Sequence, residues 1–202
     1  MPQVDAVLLD LGNVLAFHDN ALLCRRLAEH VGTVPDALVE AFSSIEGGLA
    51  ELINRGALDP EGIRREVSRT LNGDISMSDF ERLFSSHFTV HEAVLPRVER
   101  LCAQVPVVLL SNTNALHWAW LRPRLPVLER FRAHCLSHER GLVKPERAFY
   151  LAACEMAGAA PERCAFFDDI PKYVEAADSL GIQGRLFTTA ESFDAQLRTL
   201  GL

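Results

Sequence analysis

Three stretches of the chain are almost unbroken apolar runs of strand length, each closing on a polar residue: VDAVLLD over 4–10, VPVVLLS over 105–111 and CAFFDD over 164–169. Strands covered on both faces read this way, because neither side meets water and the usual alternation disappears. HCLSH at 134–138 and GRLFT at 184–188 are weaker candidates of the same kind. Between these runs the apolar period changes to that of a helix. VLPRVERLCAQ sets Val98, Leu101 and Cys102 on one face behind Pro96. KPERAFYLAACEMAG carries Pro145 near its first turn and Gly158 as a stop, and PKYVEAADSLG repeats the device with Pro171 and Gly181. Strands alternating with helices predict an α/β fold, a doubly wound parallel sheet.

Residues 17–95 break the alternation and carry only helical signals. LDPEGIRREVSRTLNG has Asp59 as N-cap, Pro60 behind it, a stripe of Ile63, Val67 and Leu71, and Asn72-Gly73 as its end. SDFERLFSSHF offers a capping box from Ser78 to Glu81 ahead of Phe80, Leu83 and Phe84. ALLCRRLAEHVG and PDALVEAFSSIEGGLAELINRG precede them. The expected organisation is a core of residues 1–16 and 96–202 with an α-helical subdomain, 17–95, inserted after the first strand.

Composition narrows the partners. The 202 residues carry 27 acidic and 20 basic side chains, a formal charge of −7, which argues against nucleic acid or an anionic membrane as partner. No apolar run approaches the ~20 residues of a membrane helix. The start, MPQVDAVLLD, holds Asp5 and Asp10 inside its apolar stretch and lacks a basic leader, unlike a signal peptide. The five cysteines have no CxxC pair and suit small buried hydrophobes of a reducing cytoplasm. A cytoplasmic monomer or homodimer is expected.

The chemistry lies at the strand ends. Asp10, Ser111 and the pair Asp168-Asp169 each follow the last apolar residue of a predicted parallel strand, and open α/β sheets bind ligands at that edge. Three carboxylates in one crevice cannot all stay ionised without a cation. An all-oxygen ligand set selects a hard divalent ion, Mg²⁺ first. Taken singly, each residue also suits a plain turn, and Asp169 ahead of Ile170-Pro171 suits a helix N-cap. Only Lys144 and Lys172 among the basic residues are lysines. Lys144, at a helix entrance beside Pro145, suits a point charge neutralising a phosphate or carboxylate, whereas Lys172 fits a solvated helix start.

These residues resemble the haloacid dehalogenase (HAD) superfamily of hydrolases, in its form with a Rossmann-like core and a helical cap. LLDLGNVL is similar to the family's first motif, VVLLSNTN to the second, GLVKPERAFY to the third and CAFFDDIPKYVEAADSLG to the fourth. DLGNVL with SNTNALH looks most like the branch that includes bacterial α-D-glucose-1-phosphate phosphatase. The resemblance implies a Mg²⁺-dependent phosphomonoesterase acting on a small phosphorylated metabolite such as a sugar phosphate. It makes Asp10 the nucleophile that forms an aspartyl-phosphate. Mg²⁺ would be held by Asp10, the Gly12 carbonyl and Asp169, with Asp168 close by. Ser111 and the Asn112 backbone N–H would hold the phosphoryl oxygens, and Lys144 would offset charge.

Two positions depart from the family's pattern. Gly12 stands where most of its phosphatases carry a second Asp that protonates the leaving group, as it does in the glucose-1-phosphatase branch. Losing such an acid costs about 10²- to 10⁴-fold, so sugar-1-phosphates and other activated esters are expected to outperform alkyl phosphates. Tyr173 replaces the Asn that many relatives carry after the paired Asp. His18 and Asp19 are near enough to overhang the site, although Asp19 equally suits capping of the first inserted helix. His117, Trp118 and Trp120 follow the second motif and suit a sugar face, cap packing or core packing. The Asn54-Arg55-Gly56 turn suits substrate contact or plain surface. Two alternatives remain open: a metal-independent 2-haloacid dehalogenase, with Tyr150 after the lysine, and a non-catalytic phosphate-binding pseudo-phosphatase. The adjacent Asp168-Asp169 argues against the first, and the retained Asp10 and Lys144 against the second.

Overall fold

The computed structural model describes residues 4–43 and 48–202. Along the chain come β1 (Ala6–Leu9), β2 (Ala16–His18), α1 (Asn20–Val31), α2 (Asp36–Ser43), α3 (Leu49–Asn54), α4 (Pro60–Thr70), α5 (Met77–Phe84) and β3 (Phe88–Val90). The second half continues with α6 (Leu95–Cys102), β4 (Val107–Ser111), α7 (Ala115–Leu121), β5 (Ala133–Leu136), α8 (Ser137–Arg140), α9 (Arg147–Ala157), β6 (Cys164–Asp168), α10 (Pro171–Asp178), β7 (Gln183–Leu186) and α11 (Ala190–Thr199).

The main sheet has the order β5-β4-β1-β6-β7, and every pair in it is parallel. All five predicted strands are present, flanked by helices as in a doubly wound α/β fold. The two faces explain the unbroken apolar runs. Val7 and Leu9 of β1 join Leu109, Phe167, Val98 and Phe193 in one cluster, while Ala6 and Leu8 join Val108, Phe149 and Phe166 in another. Each strand residue therefore meets apolar atoms whichever way it points, and neither face could tolerate a polar alternation. No described helix is long and apolar enough to cross a membrane.

The helices α1 to α5 bury a third cluster, in which Leu27, Val67, Phe80 and Phe84 are at most 1% exposed. Polar caps fix their starts: Asp19 accepts from Leu22 N–H and Asp59 from Gly62 N–H. Ser76, not Ser78, caps α5, its hydroxyl accepting from Asp79 N–H at 3.2 Å, so the helix begins two residues earlier than the Ser78–Glu81 pattern implies. Residues 17–95 are not helical throughout. β2 and β3 pair antiparallel at the two ends of the segment, Ala16 opposite Val90 and His18 opposite Phe88, and this ribbon joins the segment to the core. Residues 44–47, inside the stretch read as helical from Pro35 to Gly56, lie outside the described residues. Pro145 precedes α9, which starts at Arg147.

Candidate active site

The parallel register brings the ends of β1, β4 and β6 side by side, because Leu9 is level with both Leu109 and Phe167. Asp10 follows β1 and donates its N–H to the Phe167 carbonyl, which locks it beside the end of β6. Asp168 ends β6 and is fully buried. Between the two carboxylates lies the Lys144 ammonium, its Nζ 2.7 Å from Asp10 Oδ1 and 2.6 Å from Asp168 Oδ2. The Lys144 side chain is 1% exposed. A lysine so buried persists only with paired charge.

Asp169 completes an acidic group. Asp10, Asp168 and Asp169 each offer an oxygen, and these atoms lie within 4.8 Å of one another. Asp169 is not the N-cap of α10. Ile170 takes that position, and its N–H donates to the other Asp168 oxygen at 2.8 Å. Asp169 Oδ2 instead accepts from Asn13 Nδ2 at 2.8 Å. Asn13 holds a left-handed φ of 51°, a conformation asparagine tolerates better than most residues.

One ammonium against three carboxylates leaves two negative charges unmatched when all are ionised. Burial pushes the Asp10 carboxyl up to about 7, with Lys144 pulling it down and Asp168 pushing it further up. Burial on its own would lower the Lys144 pKa, but the charges of Asp10 and Asp168 hold it above the ordinary lysine range. Lys144 is therefore a fixed cation.

Asn112 acts through its side chain as well as its place in the chain. Its Oδ1 accepts from Lys144 N–H at 2.8 Å and its Nδ2 donates to the Lys144 carbonyl at 3.2 Å, so both backbone groups of the lysine are tied to β4. The same Nδ2 lies 3.4 Å from the Tyr173 hydroxyl, and the Tyr173 ring centroid is 5.0 Å from Lys144 Nζ. Ser111, Asn112, Gly12, Lys144 and Asp169 all line one cavity of about 240 Å³. Asp168 lies beneath it, reaching it only through Lys144 and the turn at Ile170.

The cavity extends into the inserted helices. Leu23, Phe42, Ile53, Phe84 and Phe88 supply apolar lining to it. His18, His87 and His117 stand at the junction. A Cβ on Gly12 would lie 3.2 Å from His18 Cδ2 and 3.8 Å from Asp10 Oδ2, so the His18 ring covers the place a side chain at residue 12 would enter. Asp19 turns away to cap α1. Trp118 packs into the core against His134, and Trp120 carries Arg124 at 3.7 Å over its ring; neither lines the cavity. Asn54 lines it, while Arg55 leaves it to pair with Glu51 and with Glu146 at the start of α9. Gly56, at φ 68°, lies so close to the core that a Cβ there would meet the His138 carbonyl oxygen at 2.2 Å. Asn13, His87 and the phenylalanine lining were not expected from sequence. Only Asn13, inside the first motif and of the type that accepts a left-handed turn, left a signal there.

Residues 4–181 match the family of haloacid dehalogenase-like hydrolases. A HAD family enzyme from Bacteroides thetaiotaomicron is 24% identical, with a TM-score of 0.85 over 96% of this chain and 98% of that one. The same enzyme in complex with magnesium and inorganic phosphate is 25% identical, with a TM-score of 0.78 over 92% of this chain and 94% of that one. A predicted HAD-like family hydrolase from Porphyromonas gingivalis is 22% identical, with a TM-score of 0.84 over 98% of each chain.

Proposed function

Because this chain belongs to the haloacid dehalogenase-like hydrolase family, we propose that it is a Mg²⁺-dependent phosphomonoesterase acting through an aspartyl-phosphate on a small phosphorylated metabolite. The observation that carries the reading is the single buried ammonium shared by Asp10 and Asp168 beside Asp169, at the edge of a cavity that Asp10, Lys144 and Asp169 line. The donor set fits magnesium: all ligating atoms are oxygens, and the unmatched negative charge calls for a hard dication. The similar enzyme crystallised with magnesium and inorganic phosphate supports the same reading.

On this reading Asp10, Asp169 and the Gly12 carbonyl hold the ion, with Asp168 behind them. Bound there, the ion supplies charge stabilisation to the phosphoryl oxygens and keeps Asp10 ionised. An Asp10 oxygen attacks phosphorus, forming the aspartyl-phosphate as the bond to the leaving oxygen breaks; water then cleaves it to phosphate. Ser111 and the Asn112 N–H bind phosphoryl oxygens, and Lys144 holds Asp10 in line while offsetting charge on both partners. The helical segment closes the leaving-group side from water.

Gly12 places no acid beside the leaving oxygen, so esters with stable leaving anions, sugar-1-phosphates and aryl phosphates, turn over faster than glycerol phosphate. The test is hydrolysis of 4-nitrophenyl phosphate, glucose-1-phosphate and glycerol phosphate with Mg²⁺, with EDTA, and in Asp10→Asn. Metal-dependent turnover lost in Asp10→Asn is the expected result. No turnover above the variant on any ester refutes the phosphatase reading and favours the non-catalytic one, whereas halide release from 2-haloacids in EDTA establishes the dehalogenase. Equal kcat/KM for glucose-1-phosphate and glycerol phosphate refutes the leaving-group preference alone.

A further inference from the structure

We infer that Asn13 is a positioning residue for the metal centre: its side-chain amide holds the Asp169 carboxylate in place for the ion. The inference rests on the metal-dependent phosphatase reading above. The three carboxylates gathered at the strand ends are not held alike. Asp10 and Asp168 both bond the Lys144 ammonium, and Asp168 also accepts from Ile170 N–H. Asp169 has no share of the lysine. It is half-buried on the cavity lining, and its one hydrogen-bond partner among the described residues is Asn13, whose Nδ2 donates to its Oδ2 at 2.8 Å. A carboxylate has about four lone-pair sites, so one donor restrains it and leaves the others to a cation. A neutral donor does this without cancelling the charge that draws the ion, as a second lysine would.

The amide has one sense. With Nδ2 on the carboxylate, Oδ1 faces the His18 N–H at 3.4 Å. Reversed, an oxygen would face the carboxylate and an N–H₂ would face an N–H. Residue 13 therefore meets two demands at once, a left-handed φ of 51° and a neutral donor. Glycine would suit the φ but donates nothing from a side chain. Aspartate would tolerate the φ but set a fourth carboxylate beside three. The turn itself does not depend on the amide. Asn13 N–H donates to the Ala16 carbonyl at 2.7 Å, and the Leu15 and Ala16 N–H groups donate to the Leu11 carbonyl at 2.9 and 3.0 Å. Deleting the amide takes the support from Asp169 and leaves the backbone that carries Asp10 and Gly12.

Partners that orient a metal ligand are worth about 10- to 100-fold in metal affinity. The experiment measures the Kd of the full chain for Mn²⁺, by electron paramagnetic resonance of the free ion, and for Mg²⁺ by competition. Wild type is compared with Asn13→Gly and Asn13→Ala, which lack the donor but differ in backbone freedom. Asn72→Gly is the control, because Asn72 has the same φ of 51° just beyond the end of α4 and does not line the cavity. Both Asn13 variants bind the ions about tenfold more weakly or worse, and Asn72→Gly binds them as wild type does. Hydrolysis of 4-nitrophenyl phosphate by Asn13→Gly regains most of its kcat when Mg²⁺ is raised in proportion. Unchanged affinity in either Asn13 variant, or a kcat that added Mg²⁺ does not restore, overturns the inference, since a merely structural turn would lower kcat without moving the Kd. Wild type that binds the ions but hydrolyses no ester overturns the phosphatase reading alone, and wild type that binds neither ion overturns both.

Discussion

Replacing Lys144 by Met keeps the length and much of the packing of the side chain but deletes the ammonium that two buried carboxylates share. Its side chain is 1% exposed, against 9% for Asp10 and 0% for Asp168, so water cannot take over the lost pairing. Breaking a buried ion pair by removing one partner costs about 3–5 kcal/mol. That is a large share of the ~5–15 kcal/mol that holds a domain together, and at about 2–4 °C per kcal/mol it lowers Tm by roughly 10 °C or more. The penalty depends on pH in a defined direction. Without Lys144 the Asp10 pKa, already at about 7, rises further. At pH 5 the folded variant takes up a proton and recovers part of the loss; at pH 8 it cannot do so without a large cost. Urea unfolding in EDTA at the two pH values, followed by tryptophan fluorescence, measures both. Lys144→Met combined with Asp168→Asn removes one of the stranded charges, so the double variant is more stable than Lys144→Met at pH 8 by about 2 kcal/mol. A Lys144→Met protein within about 1 kcal/mol of wild type at pH 8, or a double variant no more stable than the single, refutes the charge argument.

Two further outcomes rest on separate features. Gly56→Ala forces a Cβ against the His138 carbonyl at 2.2 Å from a φ of 68°, so it destabilises by about 1–3 kcal/mol in urea; a loss below about 0.5 kcal/mol shows that the turn does not sit tightly on the core. Burial lowers the His87 pKa to about 4, with the His18 charge acting the same way. The unfolded chain therefore takes up that proton first, so the His87 contribution to stability is lost as pH falls from about 6.5 towards 4, by up to about 3 kcal/mol, while Asp10, raised to about 7, contributes in the opposite direction. His87→Phe removes the His87 contribution alone, and an unchanged pH dependence in the variant would falsify the assignment.

The core was legible because both faces of its sheet are covered. Strands such as Ala6–Leu9 then show as apolar runs, and the polar residue that ends each run marks the edge where ligands bind. That rule points to Asp10, Ser111 and Asp168 from the sequence alone. It could not find the ribbon of β2 and β3, whose strands are three residues each, too short for a period to register. Nor could it separate Asp168 from Asp169. Adjacent residues of a strand point to opposite sides, but where a strand ends and its turn begins is a matter of one hydrogen bond, here Ile170 N–H to Asp168.

The helical half of the cavity illustrates a different loss. His18, Phe84 and His87 belong to the two crossings between core and insertion, far apart in sequence at one end of β2 and of β3, and meet because that ribbon brings the crossings together. Each has a local explanation: Phe84 completes an amphipathic helix, His18 ends one short strand and His87 precedes the other. Their meeting at one cavity is a property of the ribbon, and no local pattern encodes it. The chemistry of the core is written at strand ends, where one residue's neighbours in sequence announce it. What the cavity presents beyond the strand ends is written in residues whose neighbours in sequence explain them away, so it emerges only where the ribbon gathers them around one cavity.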